Sequence, residues 1–156
     1  MTGFTLTRQI AARPSIVYDA LTTADGVAAW WGPDDQPVTV SEVDARIGGG
    51  FRVRFATDDG LEHEAQGEFL ELDPPRRVVM SWRWAVNGVA DEVGRESRVE
   101  VDLRRADYGT ELTFSHLELA TEASAVSHEG GWAGALNKLQ RRLDGVPGES
   151  TFNATQ

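Results

Sequence analysis

The sequence predicts an α+β protein. A curved antiparallel sheet, built from one N-terminal strand plus a six-stranded meander, carries two short helices and a long C-terminal helix packed in its concave face. Three observations predict this. Apolar and polar residues alternate almost everywhere from Val38 to Leu119, which is strand period. Two short helical stretches separate the first strand from that region. From Thr121 to Leu143 the period changes to that of a helix.

The elements follow in order. Phe4, Leu6 and Ile10 alternate with Thr5, Thr7 and Gln9, giving the first strand. Pro14 suits the first position of a helix, where its missing N–H costs nothing, and Val17, Tyr18 and Leu21 follow at helical spacing. Asp25 is expected to cap a second short helix ending in Trp30-Trp31, and Gly32-Pro33 to stop it. Six strands are then marked by Val38, Val40 and Val43; by Phe51, Val53 and Phe55; by Phe69 or else its neighbours Leu70 and Leu72; by Val78, Met80, Trp82 and Trp84; by Val99, Val101 and Leu103; and by Leu112, Phe114 and His116. Asp58-Asp59-Gly60 and Asp107-Tyr108-Gly109 supply turns, and a longer loop runs from Val86 to Glu96. Thr121 is the expected N-cap of the final helix. Its stripe is Ala125, Glu129, Trp132, Leu136, Leu139 and Leu143. Such a helix, at about 1.5 Å per residue, is roughly 33 Å long and crosses the sheet.

The 156 residues fit one domain, expected over residues 1–143, with 144–156 as a loose tail. There is no cysteine, which excludes disulfides, thiolate metal sites and cysteine nucleophiles. Lysine plus arginine is 15 and aspartate plus glutamate 25, a net charge of −10 that repels nucleic-acid phosphates and anionic membranes. No secretion signal is visible before Ile10, so a cytoplasmic location is expected.

The residues also carry a resemblance. It runs from Pro14 to Leu21 and Trp30-Trp31-Gly32-Pro33, through Gly48-Gly49-Gly50-Phe51-Arg52, Gly67 to Arg76 and Val79-Met80-Ser81-Trp82. It continues in Gly109 to His116, His128-Glu129-Gly130-Gly131-Trp132 and Leu136 to Leu143. In these stretches the chain resembles the START-like (SRPBCC, helix-grip) superfamily. Within it, the chain is similar to the family of the C-terminal domain of the heat-shock-protein-90 ATPase activator homologue. The resemblance implies a helix-grip fold. It also admits a chaperone-regulating interaction role, or a cyclase, dehydratase or hydrolase activity.

A bent sheet and a straight helix cannot touch along their whole length. The space between them is either filled by large side chains or left as a cavity for a small apolar or aromatic molecule, the first functional expectation. The expected pocket residues are the aromatic Trp30, Trp31, Phe55, Phe69, Trp82, Phe114 and Trp132, with Met80 and Leu136. Trp84 belongs to the same aromatic set. Two polar residues are expected among them. Alternation turns His116 inward, either bonded to its neighbours or free to act on a ligand. Glu129 falls in the helical stripe, where burial would raise its pKa unless a donor or cation meets it. An enzymatic role would use this pair as acid and base.

Gly130, Gly131 and Gly134 each cost about 0.8–1.0 kcal/mol in a helix relative to alanine. Close approach of the helix to the sheet is the expected reason; a kink at Gly130 or space for a ligand are the alternatives. No metal or cofactor is expected, because His63, His116 and His128 lack ligand spacing. Gly48-Gly49-Gly50 leads into a strand and reads as a hairpin or bulge, not a phosphate loop. Arg76-Arg77, Arg104-Arg105 and Arg141-Arg142 read as solvated faces or ion pairs, and no nucleophile elbow is present.

Overall fold

The chain is described by a computed structural model covering residues 2–32, 38–57, 60–86 and 94–144. The elements are β1 (Thr2–Ile10), α1 (Pro14–Thr22), α2 (Ala24–Ala28), β2 (Val38–Val43), β3 (Gly50–Ala56), β4 (Glu62–Asp73), β5 (Arg77–Val86), β6 (Ser97–Ala106), β7 (Gly109–Leu119) and α3 (Glu122–Leu143). The strands form one antiparallel sheet in the order β1-β7-β6-β5-β4-β3-β2. The meander is the one the alternation predicts, and β1 joins it beside the last strand. α1 packs on β6 and β7, α2 lies beside β2, and α3 rests against β1 and β7. The expected turn residues Asp58-Asp59, most of the Val86–Glu96 loop and residues 145–156 lie outside the described residues.

Register breaks bend the sheet. β4 and β5 slip against each other at Glu64/Ala65 and again at Phe69/Glu71. Bulges of this kind increase local twist and re-aim side chains. The second slip leaves Leu70 exposed while Phe69 is buried against the core. A further slip where β1 meets β7 falls at Glu118, which has φ 63°. Simple alternation after His116 would turn Leu119 outward; across this irregularity it is buried instead.

Pro14 opens α1 as expected. α2 is capped by Thr23, not by Asp25: the Thr23 hydroxyl accepts from the Gly26 N–H at 3.0 Å, and Asp25 sits in the first turn. α2 also ends earlier than expected, at Ala28. Trp30 and Trp31 follow it in a turn whose N–H groups reach the Val27 carbonyl at 3.2 and 3.1 Å. Thr121 caps α3 by accepting from Ser124 N–H at 3.0 Å. The other end of α3 is tied down by Asp144, whose carboxylate accepts from the Ala11 N–H at 2.8 Å.

The core lies between the sheet and α1, α2 and α3. Ile10, Val17, Val27, Trp30, Phe69, Leu112, Phe114, Leu136 and Leu139 are all buried there. The opposite sheet face carries the ion pairs. Arg77 meets Asp102, Glu71 and Glu100, and its pKa is raised, chiefly by the hydrogen bonds it donates to Asp102. Glu64 is buried there beneath Arg52 and Arg54. Burial opposes its ionisation, but hydrogen bonds from Gln66 and Arg54 and the two guanidinium charges hold its pKa below the ordinary value. Arg104 pairs with Glu111. The triple glycine forms the β2–β3 connection, with Gly48 at φ 85° and its N–H donating to the Phe69 carbonyl.

Candidate functional site

Between α3 and the strands β3, β4 and β5 the sheet and helix stand apart. The space is a cavity of about 530 Å³. Phe55 comes from β3, His63 from β4, Trp82 and Trp84 from β5, and Trp31 with Gly32 from the turn after α2. α3 closes the other side with Ser127, His128, Gly130, Gly131, Trp132, Gly134 and Ala135.

The glycines are the first correction to the sequence reading. A Cβ built on Gly130, Gly131 or Gly134 would meet nothing within 4 Å. The helix is therefore not glycine-rich in order to approach the sheet closely. The three residues leave bare backbone along one side of the cavity, and α3 runs through them unbroken.

Glu129 is the second correction. It is exposed, and His128 takes the inward place. Both spacings are compatible with a helix. The difference is that Ser124 and Ala135 are buried as well, which rotates the centre of the buried face. At about 100° per residue, His128 lies roughly 20° from that centre and Glu129 roughly 80°. The acid–base pair expected of His116 and Glu129 is therefore not assembled.

His116 is fully buried. The indole N–H of Trp132 donates to its Nδ1 at 3.1 Å. Nδ1 must then be the unprotonated nitrogen, so Nε2–H donates to the Ser97 hydroxyl at 2.7 Å. That hydroxyl in turn donates to the Trp82 carbonyl at 3.3 Å. Burial, reinforced by the neighbouring His128, pushes the His116 pKa down to about 2. The imidazole is a neutral strut between β7, β6 and α3, with both nitrogens engaged.

Of the expected pocket residues, Trp31, Phe55, Trp82 and Trp132 face the cavity. Trp30, Phe69, Met80, Phe114, His116 and Leu136 are buried behind it. Trp30 donates its indole N–H to the Ala20 carbonyl at 2.9 Å, which fixes the turn that presents Trp31. Phe114 packs 4.5 Å from Trp132, ring centre to ring centre, and Trp82 packs 5.0 Å from it. His63, Thr57, Ser127 and His128 are wall residues that the sequence reading did not assign to the pocket. For His63 a signal existed: it is in phase with Ala65 and Phe69 on β4 and pairs with Phe55 across the sheet. His63 also lies 3.0 Å from the Thr57 hydroxyl through Nε2. The three histidines do not make a metal centre: no group of three histidine or acidic residues placed to hold an ion occurs among the described residues.

Three of the five tryptophans share one further property. The indole nitrogens of Trp31, Trp82 and Trp84 are buried and have no hydrogen-bond partner among the described residues. All three residues line the cavity.

A curved antiparallel sheet gripping a C-terminal helix, with an aromatic cavity between them, defines a START-like protein. The chain belongs to the family described as activator of Hsp90 ATPase homolog 1-like protein, whose family model matches residues 11–144. Solved structures share the fold. A protein from Chromobacterium violaceum (CV1439) superimposes with a TM-score of 0.81 at 24% identity, over 94% of this chain and 100% of its own. The AHSA1 protein from Silicibacter pomeroyi gives 0.79 at 25% identity, over 91% and 97%. A protein from Arthrobacter aurescens gives 0.78 at 18%, over 90% and 85%. No curated protein matches the sequence.

Proposed function

We propose that this protein is a binding module that takes a small aromatic molecule into the cavity between β3–β5 and α3. The observation that carries the proposal is the construction of the wall: tryptophan and phenylalanine rings face a helix side stripped of side chains by Gly130, Gly131 and Gly134. Three glycines in one helix cost about 2.5–3 kcal/mol, a penalty that close packing does not explain here. The volume lies in the range of small-molecule sites, which are mostly apolar with few polar groups. Burial of the ligand's apolar surface drives binding at about 25 cal/mol per Å² before association costs.

Native mass spectrometry of freshly purified protein tests the reading directly, with the expectation of a co-purifying small molecule. A second arm titrates aromatic compounds against tryptophan fluorescence in the native protein and in Gly131→Phe, which fills the cavity from the helix side. Saturable one-to-one binding that Gly131→Phe abolishes supports the reading. No bound molecule and no saturable response would end it.

The family match favours one other reading, an interaction with an Hsp90-type chaperone. It would use the outer surface instead of the cavity. Titration of a bacterial Hsp90-type ATPase with the protein would then change the ATPase rate, and an unchanged rate removes this reading.

A further inference from the structure

The way α3 is fastened decides how the cavity opens, an inference that rests on the binding reading above. Two flanks of the helix are held very differently. One flank carries Ala133, Asn137 and Gln140, at spacings of 4 and 3. It is bonded along β1. Arg8 Nε donates to Asn137 Oδ1 at 3.0 Å, and Arg8 Nη2 donates to the Ala133 carbonyl at 3.4 Å. Gln140 Nε2 donates to the Gln9 carbonyl at 2.6 Å. Both ends of the helix are tied on the same side: the Thr121 carbonyl accepts from the Thr2 hydroxyl at 2.9 Å, and the Asp144 carboxylate accepts from the Ala11 N–H at 2.8 Å. Bonds set in a row along one strand resist separation but permit rotation about the row.

The second flank carries Ser127, Gly131, Gly134 and Lys138, at spacings of 4, 3 and 4. The first three line the cavity, and a Cβ on either glycine would meet nothing within 4 Å. At the end of this bare flank Lys138 crosses the gap, and its Nζ donates to the Trp31 carbonyl at 3.3 Å. Trp31 stands on the fixed side of the cavity. Its turn is anchored by the Trp30 indole N–H on the Ala20 carbonyl, and its own ring packs 5.3 Å from Trp82 and 5.7 Å from Phe51. Lys138 is the one lysine of the chain, beside fourteen arginines. An ammonium on a flexible stem makes a single-point bond, which releases and reforms more readily than the two-point fork of a guanidinium.

We propose that α3 is hinged along β1 and latched by Lys138, so that release of the Lys138–Trp31 bond opens the cavity. In the closed state this bond holds the bare flank of the helix over the cavity. In a minor open state it breaks together with the Trp132–His116 bond, and the helix rolls away from β3–β5 about the row of bonds to β1. A small molecule then passes beside Gly131 and Gly134, where no side chain stands in its way.

The test is deuterium exchange of the indole N–H groups, followed by nitrogen-15 NMR on the whole chain with no ligand added. The resonances are assigned with single Trp→Phe variants, and the native protein is compared with Lys138→Met and Lys138→Arg. Lys138→Met keeps the stem and removes the donor. In it the Trp132 N–H, which travels with α3, should exchange about tenfold faster, the factor that one hydrogen bond of a charged donor supplies at the low end of its range. The Trp30 N–H, on the fixed side, should exchange as in the native protein, and so should the slowest amides of β5 and β6, which report global unfolding. Lys138→Arg supplies a donor again and should bring the Trp132 rate back to the native value or below it. An unchanged Trp132 rate in Lys138→Met would overturn the latch. Equal acceleration of Trp132, Trp30 and the slowest amides would overturn it too, because that is a loss of overall stability and not a local opening. Lys138→Arg behaving like Lys138→Met would also count against it. A failed latch leaves the binding reading standing. The absence of any bound molecule or saturable response ends the binding reading, while the exchange rates still report whether the helix opens.

Discussion

Lowering the pH should destabilise this protein through one residue, His116. Its ordinary pKa is 6.5, and in the folded chain it is pushed down to about 2, first by burial and then by His128. The unfolded chain takes up a proton below the ordinary value while the folded chain does not. Unfolding therefore gains protons as pH falls, and stability declines below about pH 6.5 at up to 1.36 kcal/mol per unit. Above that value both states are neutral and the residue adds no pH dependence. Between about pH 7.5 and about pH 5 the loss comes to about 2 kcal/mol, since the folded site is still almost fully neutral at the lower pH. The assay is urea unfolding at both pH values in the native protein and in His116→Asn. Other titrating groups are common to both, so the difference between their two losses isolates His116. The native protein should lose about 2 kcal/mol more than the variant. Equal losses, within about 0.5 kcal/mol, would refute a buried neutral imidazole. So would an NMR titration in which the His116 ring protonates near pH 6.

Four other predictions follow from the packing. Trp132→Ala removes a ring packed on Phe114 and Trp82 and the donor to His116, and should cost about 3–5 kcal/mol in urea unfolding; a loss below about 1 kcal/mol would mean that the ring is not in the core. Gly131→Ala places its methyl in open space and should stabilise the protein by up to about 1 kcal/mol, seen as a higher urea midpoint, where close packing would predict a loss. Gly67→Ala should destabilise the protein, because its Cβ would run into the Ser81 carbonyl and the Phe51 ring. An unchanged melting temperature would contradict that contact. Thr121→Ala removes the cap of α3 and should cost about 1 kcal/mol by the same urea assay, with no loss expected if Ser124 N–H has another acceptor.

Much of the fold was legible because strand alternation and a heptad-like stripe are local signals. Pro14, Thr121 and the run from Phe51 to Phe55 report their conformations through their immediate neighbours. Errors arose where two local solutions were nearly equal. Thr23 and Asp25 are both good capping residues, and only the position of the first helical turn selects Thr23. Glu129 and His128 both fit a helical stripe through Trp132. The burial of Ser124 and Ala135, fixed by how α3 leans on β1 and β7, selects His128. The cost of the glycines is visible in the sequence, but a bare helix face reads the same there whether it abuts a sheet or a void.

The sequence by itself determined the order of strands and helices, the inward phase of His116 and the aromatic character of the interior, because each depends on spacing along the chain. Only the tertiary structure decided that α3 stands away from β3–β5 and leaves a cavity there, and that His116 is occupied by Trp132 and Ser97. Tertiary packing also decided that three indole N–H groups around that cavity are buried with no partner among the described residues. These depend on the curvature of the sheet and the roll of one helix, and partners separated by tens of residues are chosen by packing, not by local pattern.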